Sequence, residues 1–554
     1  MIEKIQALWP EIALFVTACV VMVIGLSPSA AVRRLCGVVT GLGLLAAGAL
    51  AYTTPAVNPA LPGLALYGKA MVAGIGLVLL LLASGTVDRE YESFLARGGE
   101  GAGGQGRAEY EPLRSTKGEF YAFFLFSLTG LMLTAGATDL VWLFLALELT
   151  SLPTYVMVTI SSGRDRSMEA GVKYFFLGAM GAATFLYGFA MLYGGTGTTS
   201  LGGIANALAA QRAAPGGQIN PIAMLGLVLS VVGIGFKIAA VPMHFYTADV
   251  YQGASPSVAG FLAFVPKAAG FFALLSLCAA VGWGPTGDTL AEPLRSVLWV
   301  MAALTMTVGN ALAVVQTSLR RVLAYSSVAH SGYMLVGVIA GPGPAGGGTL
   351  MTSGVAAVLF YLLAYGLTNA GSFAVLGCLE RVRPDGQAEE LDSIEDVRGL
   401  CQDRPLLGWA LVLSVMSLLG LPPLLGFFAK LPLFGAGLNA GEYALVVVLA
   451  LNSAVAAFYY LRVAAAAVLE PGQVGRGPVS VRPTTARWRP MAAFVSAAGV
   501  VALAIYPVTG WALFGARQGA DARSEPAQRA AAEPALPSDP HAASVGATPP
   551  APAE

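Results

Sequence analysis

Apolar and polar positions in this chain alternate in long blocks. Runs of about 20 apolar residues, each enough to cross a bilayer core as a helix, alternate with short polar stretches. Fourteen such runs are expected, at roughly 9–27, 31–52, 66–84, 119–137, 139–160, 168–193, 220–246, 254–280, 294–315, 321–340, 351–379, 406–436, 442–468 and 489–514. Two exceed a straight crossing. The seventh holds Gly233, Gly235 and Pro242, and the twelfth holds Gly420, Pro422, Pro423 and Gly426. Over-long runs broken by Gly and Pro in both halves of a chain point to discontinuous helices at a transport site. The pattern predicts an all-α polytopic membrane protein of about 14 transmembrane helices. It has two inverted repeats, spans 4–8 and 9–13, with 5 matching 10, 7 matching 12, and both 7 and 12 discontinuous.

The same pattern divides the chain. Residues 1–84 hold three N-terminal spans, and the mixed Glu3, Lys4 and Glu11 before and within the first argue against a cleaved signal peptide. Residues 85–118 form a Gly-rich charged loop, 119–280 the first repeat and 281–470 the second. Residues 471–516 supply a further loop and the last span, and 517–554 an Ala/Pro-rich tail expected to be disordered. Within the loop, Gly101–Gly106 matches a GxGxxG dinucleotide fingerprint. It lies between two spans and not between a strand and a helix, so it reads as a flexible linker.

Composition agrees with the blocks. Of 554 residues 56% are hydrophobic and 11% charged, too few charges to cover a soluble protein of this size. Formal net charge is zero, so nothing favours nucleic acid as a partner. The five cysteines are scattered without a CxxC pair, and the three histidines share no metal-ligand spacing. No metal or redox centre is expected. Loops after odd-numbered spans carry 19 Lys and Arg, and the other side carries 7. The positive-inside rule places the first set in the cytoplasm and both termini outside it. Five basic residues remain within spans: Lys173, Lys237, Lys267, Lys430 and Arg462.

Those residues carry the candidate chemistry. A lysine at the bilayer centre costs about 2.5–3.5 kcal/mol on insertion scales, so it marks function or a structural pair. Glu148 lies nine residues past Asp139, and His330 nine past Arg321. At 1.5 Å per residue both reach the midplane, from opposite faces if the repeats are inverted. A carboxylate about 4 Å from a lysine strengthens its hold on a proton by on the order of 4 kcal/mol at an effective dielectric near 20. Moving Glu148 towards or away from a lysine would therefore load or unload a proton, and histidine and water can relay it. Each residue also has a plainer reading. Glu148 fits half of a structural ion pair, Lys237 and Lys267 fit packing devices that fix register, and Lys173 and Arg462 fit snorkelling anchors. His330 fits a hydrogen-bonded core histidine, and His244 an interfacial one.

Three long motifs, LELTSLPTYVM around Glu148, EAGVKYFFLGA around Lys173 and GFKIAAVPMHFYTADVYQGAS after Gly235, resemble the antiporter-like proton-translocating subunits of respiratory complex I. LRRVLAYSSVAHSGYMLVG and GLPPLLGFFAKLPLF narrow the resemblance to the subunit N group of NADH–quinone oxidoreductase. What the resemblance implies is a bacterial inner-membrane subunit that moves protons without cofactors of its own. NADH, FMN, iron–sulfur clusters and quinone would belong to partner subunits, among them neighbouring antiporter-like subunits. Glu148 and Lys237 match the family's carboxylate–lysine pair, Lys267 its central lysine, Lys430 the lysine leading to the outer exit, and Lys173 a further lysine of span six. With His330 these form the expected proton relay. Subunits of multisubunit cation/proton antiporters and of hydrogenase-linked pumps are the alternatives.

Overall fold

The computed structural model describes residues 6–53, 61–88, 91–92, 114–162, 165–214, 217–283, 290–343, 350–382, 388–471, 480–483 and 488–505. The Gly101–Gly106 run and the Ala/Pro-rich tail lie outside them. Helices occupy every expected crossing: α1 (Trp9–Gly25), α2 (Ala30–Ala51), α3 (Pro62–Ala83), α4 (Lys117–Ala135), α5 (Leu140–Ile160) and α6 (Asp165–Thr196). A short α7 (Leu201–Ala213), started by a Ser200 side chain that accepts from Gly203 N–H, joins them to α8 (Pro221–Lys237) and α9 (Thr247–Gly253). Then come α10 (Pro256–Val281), α11 (Glu292–Val314), α12 (Leu319–Ala340) and α13 (Gly354–Gly377). Last are α14 (Pro405–Leu419), α15 (Leu425–Asn439), α16 (Tyr443–Leu469) and α17 (Arg489–Ala502).

The two long runs are broken where Gly and Pro stand. Residues 238–246 separate α8 from α9, with Pro242 unable to donate to a helical ladder. Gly420, at φ +89, closes α14 by returning its N–H to Met416 and Ser417 carbonyls. Pro422 and Pro423 then keep the chain out of helix until Leu425.

A backbone device recurs in both halves. Leu140 N–H at the start of α5 donates to Thr199 O, and Leu201 N–H returns the bond to Thr138 O. At the start of α12, Leu319 N–H donates to Asp392 O and Ile394 N–H to Thr317 O. Each time, the first helix of a hairpin is stitched to the segment following the second.

Burial shows which helices hold the centre. Every residue of α10 is buried, and nearly every residue of α12 and α13. By contrast α1, α2, α6, α11 and α16 turn large apolar side chains such as Val23, Leu42, Phe176, Val300 and Leu451 outwards. Such a belt suits lipid or neighbouring subunits. Since lipid gives no hydrophobic drive for helix pairing, close backbone approach must hold helices together. A Cβ on Gly188 of α6 would lie 2.5 Å from Ser230 N of α8, so only glycine permits that contact. Lys69 is buried within α3 and paired with Glu11 of α1 at 2.9 Å.

An element the apolar pattern did not foresee caps one end. Strands β1 (Leu379–Val382), β2 (Ala388–Glu390) and β3 (Ser480–Pro483) form an antiparallel sheet in the order β2-β1-β3. β2 and the chain after it are tied to both halves of the chain. Arg320, 3% exposed, reaches Glu390 at 3.2 Å, Asp392 at 3.4 Å and Ala254 O at 3.0 Å. Gln252 donates to Asp392 at 2.7 Å. Burial pushes the Asp392 carboxyl up, but the Arg320 guanidinium, with hydrogen bonds from Ser318, Gln252 and Arg320, outweighs it and holds the pKa below the usual value. A depressed folded pKa stabilises above the unfolded value, and that stability is lost as pH falls through the folded pKa. Asp392→Asn should therefore lower stability at neutral pH by on the order of 1–3 kcal/mol and flatten the acid limb. Thermal unfolding of the purified protein from pH 7 to pH 3 checks this; an unchanged acid limb would refute it.

Candidate functional site

The break after Lys237 creates the first part of the site. Lys237 is the last residue of α8, 2% exposed, and its ammonium points at α5. It donates to Glu148 Oε1 at 2.9 Å and to Ser151 Oγ at 2.7 Å. Glu148 and Ser151 are three apart, hence on one helix face. The Phe185 ring centroid lies 5.6 Å from the ammonium, within cation–π reach.

The second part sits mid-way along the fully buried α10. Lys267 Nζ donates to Ile238 O at 3.1 Å, Ser327 O at 2.7 Å and Ser331 Oγ at 2.9 Å. Ile238 caps the C-terminal end of α8, where unpaired carbonyls carry partial negative charge. The break that ends beside Lys237 thus also supplies a carbonyl to Lys267. Close approach depends on Gly270, where a Cβ would lie 2.5 Å from Ile238 Cγ2 and 3.1 Å from Lys237 Cβ.

The third part repeats that geometry at the other break. Lys430, in the second turn of α15 and 6% exposed, donates to Leu419 O at 2.8 Å, the C-terminal end of α14. Its ammonium lies 5.0 Å from the Tyr333 ring centroid, a cation–π distance. Glycine at 420 leaves room for the lysine stem, since a Cβ there would meet Lys430 Cδ at 2.9 Å. Among the described residues no carboxylate forms an ion pair with Lys430, unlike Lys237.

Between Lys267 and Lys430 stands α12. Ser327 and Ser331 take Lys267 on one flank, and His330, 2% exposed, faces α13 and α16. His330 Nδ1 lies 2.6 Å from Tyr361 Oη and Nε2 2.9 Å from Tyr460 Oη. Asn310 of α11 donates to Tyr333 Oη at 2.9 Å and accepts from Tyr459 Oη at 2.9 Å, which holds the ring beneath Lys430.

Lys237, Lys267, His330 and Lys430 are therefore buried, with Glu148 half-buried beside Lys237, and Lys173 is not among them. Its side chain is 45% exposed and paired with Glu169 at 2.6 Å and Asp249 at 3.4 Å. Asp249 also takes Arg321 at 2.9 Å, so Lys173 belongs to an ionic rim where α9 meets α12. The physical reason is depth: two turns into α6 the ammonium still reaches rim carboxylates. Arg462 is no free snorkelling anchor, because it donates to Val314 O and Gln316 O and so closes the C-terminal end of α11. His244 lies buried in the first break, with Nδ1 unpartnered. Sequence reading missed Ser151, Ser327, Ser331 and the tyrosines. A hydroxyl three or four residues from a membrane charge was the available signal for Ser151 and for the serines beside His330.

Residues 137–456 match a family model described as NADH:quinone oxidoreductase/Mrp antiporter, TM. The NADH-quinone oxidoreductase subunit N of Trichlorobacter lovleyi is 40% identical over 391 residues, covering 70% of this chain and 74% of that one. That of Rhodospirillum rubrum is 36% identical over 465 residues, 82% and 85% of the two chains. Among solved structures, a chain of respiratory complex I from Thermus thermophilus with bound Aureothin superposes with TM-score 0.68 at 31% identity, covering 91% of this chain and 98% of that one. A chain of the Mrp complex from Dietzia sp. reaches TM-score 0.70 at 21% identity, covering 94% and 97%, a likeness of fold alone.

Proposed function

The chain belongs to the NADH:quinone oxidoreductase/Mrp antiporter family of membrane subunits, in its subunit N branch, and from that premise we propose that it moves protons along Glu148, Lys237, Lys267, His330 and Lys430. The observation that carries the reading is the pairing of each helix break with a buried ammonium. Ile238 O meets Lys267 and Leu419 O meets Lys430, both at C-terminal helix ends. A helix end stabilises the ammonium without a fixed anion, so the lysine can also give up its proton. Glu148 gives Lys237 a fixed anion, which Lys267 and Lys430 lack among the described residues. Protons would pass from the Glu148 end to the Lys430 end, with serine hydroxyls and water spanning the gaps.

As a proton-translocating membrane subunit it would sit among the other membrane subunits of an NADH–quinone oxidoreductase, the apolar belt meeting lipid and antiporter-like neighbours. We assign NADH, flavin, iron–sulfur clusters and quinone to those partners, and no cofactor to this subunit. The Arg-rich end of α12, with Arg320 and Arg321, would face the cytoplasm and both termini the periplasm, in a bacterial inner membrane. Lys173 would serve at the rim as an ionic contact.

Lys267→Ala tests the reading, because Lys267 ties the first break, through Ile238 O, to α12, through Ser327 O and Ser331 Oγ. In assembled complex it should lower both quinone reduction and acidification about tenfold or more, a barrier change of roughly 1.4 kcal/mol or above. Wild-type acidification would remove Lys267 from the path.

A further inference from the structure

His330 is bonded in a way that a packing histidine does not need. A neutral imidazole has one N–H donor and one acceptor nitrogen. With both nitrogens on phenol oxygens, at 2.6 Å to Tyr361 and 2.9 Å to Tyr460, one tyrosine must donate while the other accepts. The row has a direction, and shifting one proton at each link reverses it. Its two ends differ. Tyr460 Oη also bonds Ser326 Oγ, five residues from Arg321 on α12. Tyr361 faces a small cavity lined by His330, Tyr365, Thr368, Ser417 and Gly426, with room for roughly one water. Tyr365 Oη, on that cavity, and Asn369 Oδ1, one turn along α13, are buried and make no well-formed hydrogen bond among the described residues, Ser327 and Asn369 being the polar side chains nearest Tyr365. A buried polar atom at a polar void is where water binds. The far wall of the cavity belongs to the second break. Ser417 Oγ accepts from Gly426 N–H at 3.0 Å, and Lys430 follows one turn later.

We propose that Tyr460 and Tyr361 are themselves proton-transfer residues, forming with His330 a separate feed from the Arg320–Arg321 end of α12 to Lys430. The proposal rests on the relay reading for the role of Lys430. In one transit the Tyr460 O–H bond breaks as a bond to His330 Nε2 forms, and Tyr460 regains a proton from Ser326, itself replenished by water. His330 Nδ1–H passes to Tyr361, whose own hydroxyl proton leaves to water in the cavity and on to Lys430. One proton enters and one leaves, no electrons move, and the imidazole ends in its other tautomer. Turning the hydroxyls and exchanging the tautomer back resets the row. His330 would thus bring Lys430 protons from the Arg320–Arg321 end in addition to those arriving through Lys267.

The test uses assembled complex bearing Tyr460→Phe, Tyr361→Phe, both together, or Lys430→Ala. Each substitution to Phe keeps the ring and deletes only the hydroxyl. Either should lower acidification about tenfold, within the range of a lost acid–base group, and change the solvent deuterium isotope effect, which packing alone would not move. The double variant should be no worse than the poorer single one, because the links act in series. If both tyrosine variants pump normally with the wild-type isotope effect while Lys430→Ala fails, the feed is wrong and the relay stands. If Lys430→Ala also pumps normally, the relay reading falls with it. Should the variants not assemble, infrared spectra of wild-type complex labelled in its histidines decide, since the chain has only three. Interconverting imidazole tautomer bands during turnover support the row, and a single unchanging tautomer at His330 overturns it.

Discussion

Glu148→Gln is expected to cut both proton-coupled quinone reduction and acidification about tenfold or more, with the complex still assembled. The carboxylate lies 2.9 Å from Lys237 Nζ; the Lys237 side chain is 2% exposed and that of Glu148 17%. A carboxamide keeps the shape and can still accept a hydrogen bond, but the charge that holds the proton on Lys237 is gone. That loss is on the order of 4 kcal/mol at an effective dielectric near 20, ample for a tenfold effect. Glu148→Asp keeps the charge on a shorter stem and should retain more activity than Glu148→Gln. Lys237→Ala should be as damaging, and Ser151→Ala milder, since Ser151 contributes only a neutral acceptor. Rates are to be compared in membranes where assembly is verified. Wild-type acidification by Glu148→Gln would mean that the pair is structural.

Much of this was legible in the chain, and the exceptions have physical causes. The apolar blocks coincide with helices because a bilayer imposes length and apolarity on every span. The breaks near Pro242 and Pro422 were legible because Gly and Pro cluster there. Lys237, Lys267 and Lys430 stood out because a membrane charge is costly. What could not be read was partnership. Nothing in the sequence says that Ile238 O and Leu419 O turn towards ammonium groups, since that depends on where each half-helix ends. Tyr361 and Tyr460 look like ordinary membrane aromatics until α13 and α16 close on α12. Lys173 was expected in the relay as a further lysine of span six, whereas Glu169 and Asp249 hold it at the rim. The sheet of β1–β3 gave no signal because its strands are short and joined across distant loops.

Lys430→Ala should depress coupled turnover to a similar degree, about tenfold or more, by a different route. The first repeat keeps its loaded pair, but the proton has no acceptor at the second break, and the cycle stalls against its own product. Lys430→Arg restores the positive charge and can still reach Leu419 O, yet arginine does not release its proton at any relevant pH. It should therefore fail to rescue. Lys430→Glu keeps a titratable group but faces the Leu419 carbonyl with another acceptor, and should recover only part. Electron transfer and acidification are to be measured together. Full pumping by Lys430→Arg would make Lys430 a fixed charge and put the exit elsewhere.

The central claim is that the buried ammonium groups carry protons and are not fixed charges holding the helices together. Lys267 decides it, because it lies mid-way along the fully buried α10 and is bonded to both α8 and α12. The measurement is the number of protons translocated per electron by reconstituted complex carrying Lys267→Arg, beside wild type and Lys267→Ala. Arginine preserves charge and donors while withholding its proton, so the account expects the ratio to fall as far as in Lys267→Ala. A wild-type ratio in Lys267→Arg would contradict it.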